Sequence, residues 1–389
     1  MNYDKLALDL HKKFRGKITT KLRDGSELTR EKLSAYYTPG VAAVSREVAE
    51  HPETMGEYCW TNNLVAVISD GSAVLGLGDI GPRASMPVME GKALLFKNFA
   101  GIDAVPIVLD VHTPDEIVAT VKAIAPSFGA INLEDIAAPK CFEVEERLKA
   151  ELDIPIMHDD QHGTAVVVLA GLINAMKVAG KDLRSGPGSI KVAVSGVGAA
   201  GVAIMRLLKK YAPKTRIYAV DSRGIISDER TDLNGIKKQL LDEKIICGDE
   251  PGDDLNWALV DADVFIGVSR PGALKSWQLG GMASNPIIFA LANPTPEIFP
   301  DEARKEVSNK GKVIVATGRS DFPNQVNNAL AFPGIFRGAL DHGVKKITDD
   351  HKIAAAEAIA GLVKNPTPEE IIPSVFTPNL VETVAEVVK

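Results

Sequence analysis

Two apolar stretches of this chain end in acids: "AINLED", residues 130–135, and "IPIMHDD", residues 154–160. Each reads as a short strand. In an open parallel sheet the carboxyl ends of neighbouring strands face one crevice. Glu134, Asp135, Asp159 and Asp160 are therefore expected to converge. Four anions that close repel strongly unless a cation sits among them. Ligands that are all oxygen suit Mg2+ or Mn2+ rather than zinc. The competing reading is a set of exposed loop acids, because acids at strand ends are common. His158 and His162 flank the second pair. A hydrogen-bonding role beside the acids is expected of both in preference to ligation.

A second chemistry lies in "IKVAVSGVGAAG", a strand running into Gly196, Val197, Gly198, Ala199, Ala200 and Gly201, then into the helical pattern "VAIMRLLKKYA". The first glycine permits a tight turn, the second lets backbone approach a pyrophosphate, and the third allows close helix–strand packing. The helix N-terminus offers N–H groups and a positive dipole end to phosphates. Asp221 ends the next strand, 20 residues past the last glycine. An acid there accepts from the ribose 2′-hydroxyl of NAD. Arg223, two residues on, could instead pair with the 2′-phosphate of NADP. Both readings stand, with NAD slightly favoured.

Lys92 and Lys97 lie in "ASMPVMEGKALLFKNFAG", a helical run whose apolar face includes Val88, Leu94, Leu95 and Phe99. A buried lysine loses pKa by desolvation and can act as a base near neutrality. A lysine in such a run more often snorkels. "AYYTPGVA" offers Tyr36 and Tyr37 before a Thr-Pro-Gly turn, where packing is the usual role.

The elements that must position these groups form an α/β pattern. Candidate strands are 64–69, 105–110, 130–134 and 154–158, then 190–195, 216–220, 263–269, 286–291 and 312–317, with amphipathic runs between them. That alternation reads as βαβ units and parallel sheets. "TPDEIVATVKAIA" opens a helix with a Thr cap and a Pro at its first position. "AGKDLRSGPGS", 179–189, is the natural linker. The expected division is residues 1–184 as an N-terminal domain carrying substrate and metal residues, 185–345 as a Rossmann-like NAD(P)-binding domain, and 346–389 as C-terminal helices that pack back on the first.

At 389 residues the chain is too long for one ordinary core. Its 45% hydrophobic and 24% charged content is that of a globular protein. Net charge is −7 with no Lys/Arg stripe, which argues against a nucleic-acid surface. "RLLKK", 206–210, reads as a solvated helix face. Three dispersed cysteines, Cys59, Cys141 and Cys247, suit a reducing compartment. The N-terminus has no signal-peptide pattern, and the longest apolar run, Ala165 to Ile173, is too short to cross a membrane. A cytoplasmic location, with no membrane partner, is expected.

In order, "YYTPGVA", "VLGLGDIGP", "MPVMEGKALLFK", "INLEDIAAPKCF", "HDDQHGTA", "SGVGAAG", "FALANPTPEI" and "NNALAFPG" resemble the short bacterial type of malic enzyme over about residues 14 to 340. The resemblance implies oxidative decarboxylation of (S)-malate to pyruvate and CO2 with NAD or NADP and a divalent metal, and a homodimer. Oxaloacetate decarboxylation is implied as well. It puts the metal ligands on Glu134, Asp135 and Asp160, with Asp159 in the neighbouring place. The general-base lysine falls on Lys92 and the tyrosine acid on Tyr37. Asparagines that meet substrate or nicotinamide fall on Asn293 and Asn328, with Asn327 the fallback. One position departs: the arginine that holds the substrate carboxylate in larger members is Ala73 here. The alternatives are another NAD(P)-dependent hydroxy- or amino-acid dehydrogenase, or a catalytically silent nucleotide-sensing regulator.

Overall fold

The computed structural model describes residues 3–74, 76–184, 190–248, 252 and 254–389. The apolar runs build two sheets. The first joins β1 (Leu64–Ser69), β2 (Asp103–Val108), β3 (Ala130–Leu133) and β4 (Ile156–His158), all parallel, in the order β2-β1-β3-β4. Every residue of β1, β3 and β4 is buried, which is why these strands read as continuous apolar runs rather than alternating ones.

The second sheet contains β5 (Lys191–Ser195), β6 (Arg216–Asp221), β7 (Gly224–Ile225), β8 (Val264–Gly267), β9 (Ile287–Ala290) and β10 (Ile314–Thr317), in the order β10-β9-β8-β5-β6-β7. The chain leaves β5 toward β6 on one side and returns to β8 on the other. That reversal opens a crevice at the carboxyl end of β5. Among the described strands of this sheet only β7 is antiparallel, closing the edge against β6. At two residues it leaves no periodic signal in the sequence.

A 21-residue core helix, Asp159–Ala179, grows directly from β4. It is buried almost all round and ends at Gly180 in the left-handed region (φ 68°). The helix as a whole is long and apolar enough to cross a bilayer, although the unbroken apolar run inside it is not. Most of it is enclosed by protein. Its Asn174 donates to the carbonyls of Ala360 (2.8 Å) and Ile371 (3.0 Å), which ties the C-terminal segment to it. The Thr113 cap closes a capping box with Glu116 at the start of Pro114–Ile124, as the Thr-Pro signal anticipates.

The lysine helix, Gly81–Ala100, buries Ser85, Met89, Lys92, Ala93 and Phe96. This corrects the expected face: Val88 and Leu95 pack at its margin, and Leu94 is substantially exposed. The stripe at spacings of three and four residues wins because Phe96 inserts edge-on between Phe332 (4.8 Å) and Phe336 (5.2 Å) of the helix Phe332–Asp341. The C-terminal helix Leu380–Ala385 packs on that helix, where Gly334 and Gly338 let Val384 and Ala385 approach.

The first fifty residues behave differently. The helices Tyr3–Phe14, Arg30–Tyr36 and Val41–Glu50 bury no residue, and Leu8, Leu22 and Leu28 are largely exposed. Of the expected linker, residues 185–189 lie outside the described residues.

Candidate active site

β3 and β4 are parallel neighbours with Leu133 opposite His158. Glu134–Asp135 and Asp159–Asp160 therefore leave adjacent strand tips. Carboxylate oxygens of Glu134, Asp135 and Asp160 lie within 4.8 Å of one another. Asp135 sits in the left-handed region (φ 53°). Its N–H donates to Asp160 Oδ2 (2.8 Å) and its carbonyl accepts from Ala73 N–H (3.0 Å). Ala73 thus braces the acid turn through its backbone.

Burial raises the pKa of Glu134; the Lys92 ammonium opposes this and the Asp160 charge adds to it. Burial and then the Asp135 charge raise Asp160. Two buried oxygen donors and a third that is partly exposed suit a hard divalent cation, whose charge would offset the cost of burying Glu134 and Asp135.

The expected convergence of four acids needs one correction. Asp159, fully buried, stands outside the three-carboxylate cluster and meets Glu134 through the Lys92 ammonium between them. Consecutive residues in a helical turn point about 100° apart, so Asp159 and Asp160 cannot face the same way. Asp159 Oδ2 accepts from Lys92 Nζ at 2.6 Å, and Lys92 Nζ lies 2.9 Å from Glu134 Oε1. Asp159 Oδ1 is buried with no hydrogen-bond partner among the described residues. Gly163, one turn on, leaves it room: a Cβ there would stand 1.8 Å from that oxygen.

Lys92 is buried, with its Nζ over the Phe332 ring at 4.3 Å. It therefore does not snorkel, whereas Lys97 does, pairing with Asp103 at 2.8 Å while largely exposed. The expected fall in the Lys92 pKa is reversed. Burial lowers it, but the Asp159 and Glu134 carboxylates outweigh burial and raise it. A cation that drew on Glu134 would weaken that hold.

The two histidines divide. His162 Nε2 pairs with Glu145 Oε2 at 2.8 Å, as expected of a hydrogen-bonded neighbour. His158, fully buried, has no partner on either ring nitrogen among the described residues and lies 3.7 Å from Asp160 Oδ2. Burial lowers both to about 4, leaving neutral rings.

Tyr36 and Tyr37 do not pack. Both are exposed, Tyr37 by 67%, and the Tyr36 hydroxyl donates to Asp24 Oδ2 (2.9 Å). Tyr37 is the C-cap of a helix that buries nothing, so this single chain does not seat it against Lys92.

The glycine loop takes the expected shape. Gly196 has φ 112°, and a Cβ there would meet Val268 O at 2.5 Å. A Cβ on Gly201 would stand 2.0 Å from Gly196 O, while one on Gly198 meets nothing within 4 Å. The middle glycine thus borders the open space a pyrophosphate needs, at the start of the helix Ala199–Tyr211. Val197, Ala199 and Ala200 complete the turn.

Asp221 ends β6 but is already engaged. Its Oδ1 accepts from Arg223 N–H and Arg230 Nη1, both at 2.8 Å, and its Oδ2 from Lys237 Nζ at 2.5 Å. The Arg223 guanidinium pairs with Asp232 at 2.7 Å.

Asn293 precedes a cis peptide bond to Pro294, with its carbonyl against Gly76 and its amide against Gly318. Asn327 is occupied, its Oδ1 capping Ala329 N–H at 2.9 Å. Asn328 lies beside Gly163.

Sequence reasoning missed Asn132, whose amide donates to Glu134 Oε2 (2.9 Å), and Phe332, Arg230 and Lys237. It also missed Glu145, fully in the stripe Cys141, Val144, Glu145 and Leu148 of the helix Lys140–Glu151. An acid at a core position of an amphipathic helix was the available signal.

Two family models match the chain: "Malic enzyme, N-terminal domain" over residues 16–115 and 112–149, and "Malic enzyme, NAD binding domain" over 161–388. The chain is 50% identical to the bifunctional malic/malolactic enzyme of Bacillus subtilis over 385 residues, covering 98% of this chain and 91% of that one. It is 46% identical to the NADP-dependent malic enzyme of Halomonas elongata, covering 94% and 84%. Among solved structures, an NAD-dependent malic enzyme from Thermotoga maritima superposes with a TM-score of 0.92 at 48% identity, covering 98% of each chain.

Proposed function

The chain belongs to the malic enzyme family, and on that premise we propose which residues carry its reaction, the oxidative decarboxylation of (S)-malate to pyruvate and CO2 with reduction of NAD+ or NADP+. The carrying observation is the triad of carboxylates within 4.8 Å of one another, beside a buried lysine held by Asp159. Glu134, Asp135 and Asp160 would hold Mg2+ or Mn2+, which would supply Lewis-acid polarisation, and the Gly196–Gly201 loop would hold the dinucleotide that would accept the hydride.

Lys92 Nζ takes the proton of the C2 hydroxyl as hydride leaves C2, giving oxaloacetate. Its proton returns to the C2 oxygen as the C3–carboxylate bond breaks and CO2 departs. Tyr37 then protonates C3 of enolpyruvate while Lys92 takes the enol proton, and passing that proton back to the Tyr37 phenolate resets both groups. Asp159 keeps Nζ on its side of the acid cluster throughout. Oxaloacetate, entering at the second step, is decarboxylated by the same groups.

Asn328 and Asn293 donate to the substrate carboxylate in place of the arginine absent at Ala73. Asn327, spent on its cap, is the weaker candidate. Arg230 and Lys237 neutralise Asp221, which supports acceptance of NADP+ beside NAD+.

Tyr37 reaches the substrate only if something buries the N-terminal helices. Their exposed apolar side chains, Leu8, Leu22 and Leu28, support a homodimer in which Tyr37 serves the partner's site. We keep the division 1–184, 185–345 and 346–389, and a cytoplasmic location, as part of this reading.

The test is an assay with malate, Mn2+ and either dinucleotide, monitored as pyruvate and reduced cofactor together. Turnover abolished by EDTA and restored by Mn2+ is expected. Turnover indifferent to chelation, or reduced cofactor without pyruvate, would indicate a simple dehydrogenase instead.

A further inference from the structure

A cavity of about 280 Å3 is lined by neither the acid triad nor the loop glycines, although Gln161 and Val202 on its wall directly follow Asp160 and Gly201. Its walls come from three parts of the chain. Lys149 stands on the helix Lys140–Glu151, beside the first sheet. Arg206 stands on Ala199–Tyr211, beside the second. Lys352 stands on Asp349–Gly361, near the C-terminus. Val202, Leu207 and Ile236 give it an apolar floor.

The polar groups do not balance. Glu145 is saturated: Oε1 accepts from His158 N–H (3.0 Å) and Lys149 (2.6 Å), and Oε2 from His162 (2.8 Å) and Gln161 (3.4 Å). Asp349 accepts from Lys352 at 2.9 Å, and Glu146 is exposed. The donors are not saturated. Each lysine carries three N–H groups and meets one carboxylate here. Arg206 Nε is buried with no partner among the described residues, and its Nη2 reaches Glu243 only at 3.4 Å. Lys352, nine-tenths buried or more, presents its ammonium group to this space with Asp349 as its one carboxylate partner there. Arg206 and Lys149 are only partly buried, but the orphaned Arg206 Nε and the spare N–H groups of buried Lys352 leave a place for an external acceptor.

We propose that this cavity binds a small organic carboxylate, whose head group takes the Arg206 fork and the two lysines and whose carbon skeleton lies on Val202, Leu207 and Ile236. Planar bidentate pairing to Arg explains the acid group, and the apolar floor favours a carbon chain over inorganic phosphate. The site joins both sheets' layers and the helix Asp349–Gly361. Through Glu145 it also touches His158 and His162, which bracket Asp159 and Asp160. Occupancy therefore bears on the turn that presents the metal ligands. This assignment is independent of the reaction proposed above.

Isothermal titration of the full chain in EDTA, with succinate and separately with inorganic phosphate, tests it. One succinate per chain is expected, weakened at least about tenfold by Arg206→Gln, unchanged by Asn328→Ala, and tighter than phosphate. The melting temperature of Arg206→Gln without ligand verifies its fold. Should that variant not fold, Lys149→Met takes its place under the same criterion. No succinate binding, binding unaffected by the variant, or phosphate binding as tightly as succinate would overturn the proposal. So would loss of succinate binding in Asn328→Ala, which would locate the anion in the substrate crevice.

Discussion

Asp159 holds Lys92 by one oxygen, Oδ2 at 2.6 Å from Nζ, while its other oxygen is buried over Gly163 with no partner among the described residues. The pair is a buried charge couple with Glu134 as its third member. Lys92→Ala removes the proposed base and leaves two carboxylates uncompensated. We expect kcat to fall at least about 100-fold, with dinucleotide affinity changed little because the glycine loop is untouched. Steady-state kinetics with a separate dinucleotide titration checks both. Near-normal turnover at saturating malate would remove Lys92 from its role.

Gly163→Ala tests the other oxygen. A methyl at 1.8 Å from Asp159 Oδ1 must move the carboxylate or the helix. The backbone there is helical, so intrinsic propensity favours alanine and any loss comes from the clash. We expect destabilisation of about 1–3 kcal/mol, together with a lower kcat as Lys92 loses its anchor. An unchanged melting temperature with full activity would show that Asp159 is free to move.

The acids were legible where the strand endings are. "INLED" and "MHDD" close parallel neighbours, so their meeting follows from sheet geometry. The split within the second pair came only from the family resemblance and not from the residue pattern, because it depends on which helical face turns toward Lys92. The burial of Lys92 was equally hidden. Its apolar neighbours fit several helical stripes, and Phe332, more than 200 residues away, decides among them. Lys237 and Arg230 lie 16 and 9 residues past Asp221, beyond the reach of the fingerprint.

Asp160→Ala removes one of three oxygen donors in the proposed cation site. Mn2+ affinity, read by titration calorimetry without substrate, is expected to fall at least about tenfold. Unchanged affinity would place the ion elsewhere.

The same cluster sets a pH dependence. Glu134 and Asp160 have raised pKa values in the folded chain. The fold then binds more protons than the unfolded chain, so without added metal this contribution to stability is lost as pH rises from about 4 through the raised values. A divalent cation binds the deprotonated form and offsets the repulsion. The gain in melting temperature on adding Mn2+ is therefore expected to be larger at about pH 8 than at about pH 5.5. An equal gain at both would mean that these acids do not titrate on binding.

Dinucleotide choice turns on how Asp221 spends its lone pairs. A carboxylate has about four acceptor positions. Two on Oδ1 go to Arg223 N–H and Arg230, and one on Oδ2 goes to Lys237. That leaves one for a ribose hydroxyl, with two cations adjacent. The arrangement tolerates a 2′-phosphate, which a bare acid would repel. The fragments 2′,5′-ADP and 5′-AMP isolate this end of the cofactor from the chemistry. We expect the chain to bind 2′,5′-ADP at least as tightly as 5′-AMP. Lys237→Ala should weaken 2′,5′-ADP by about tenfold and 5′-AMP much less, since only the former carries the extra phosphate. If the variant weakens both fragments equally, Lys237 orders the loop rather than reading the phosphate. If 5′-AMP binds far more tightly to the unaltered chain, Asp221 governs and NAD+ is the cofactor.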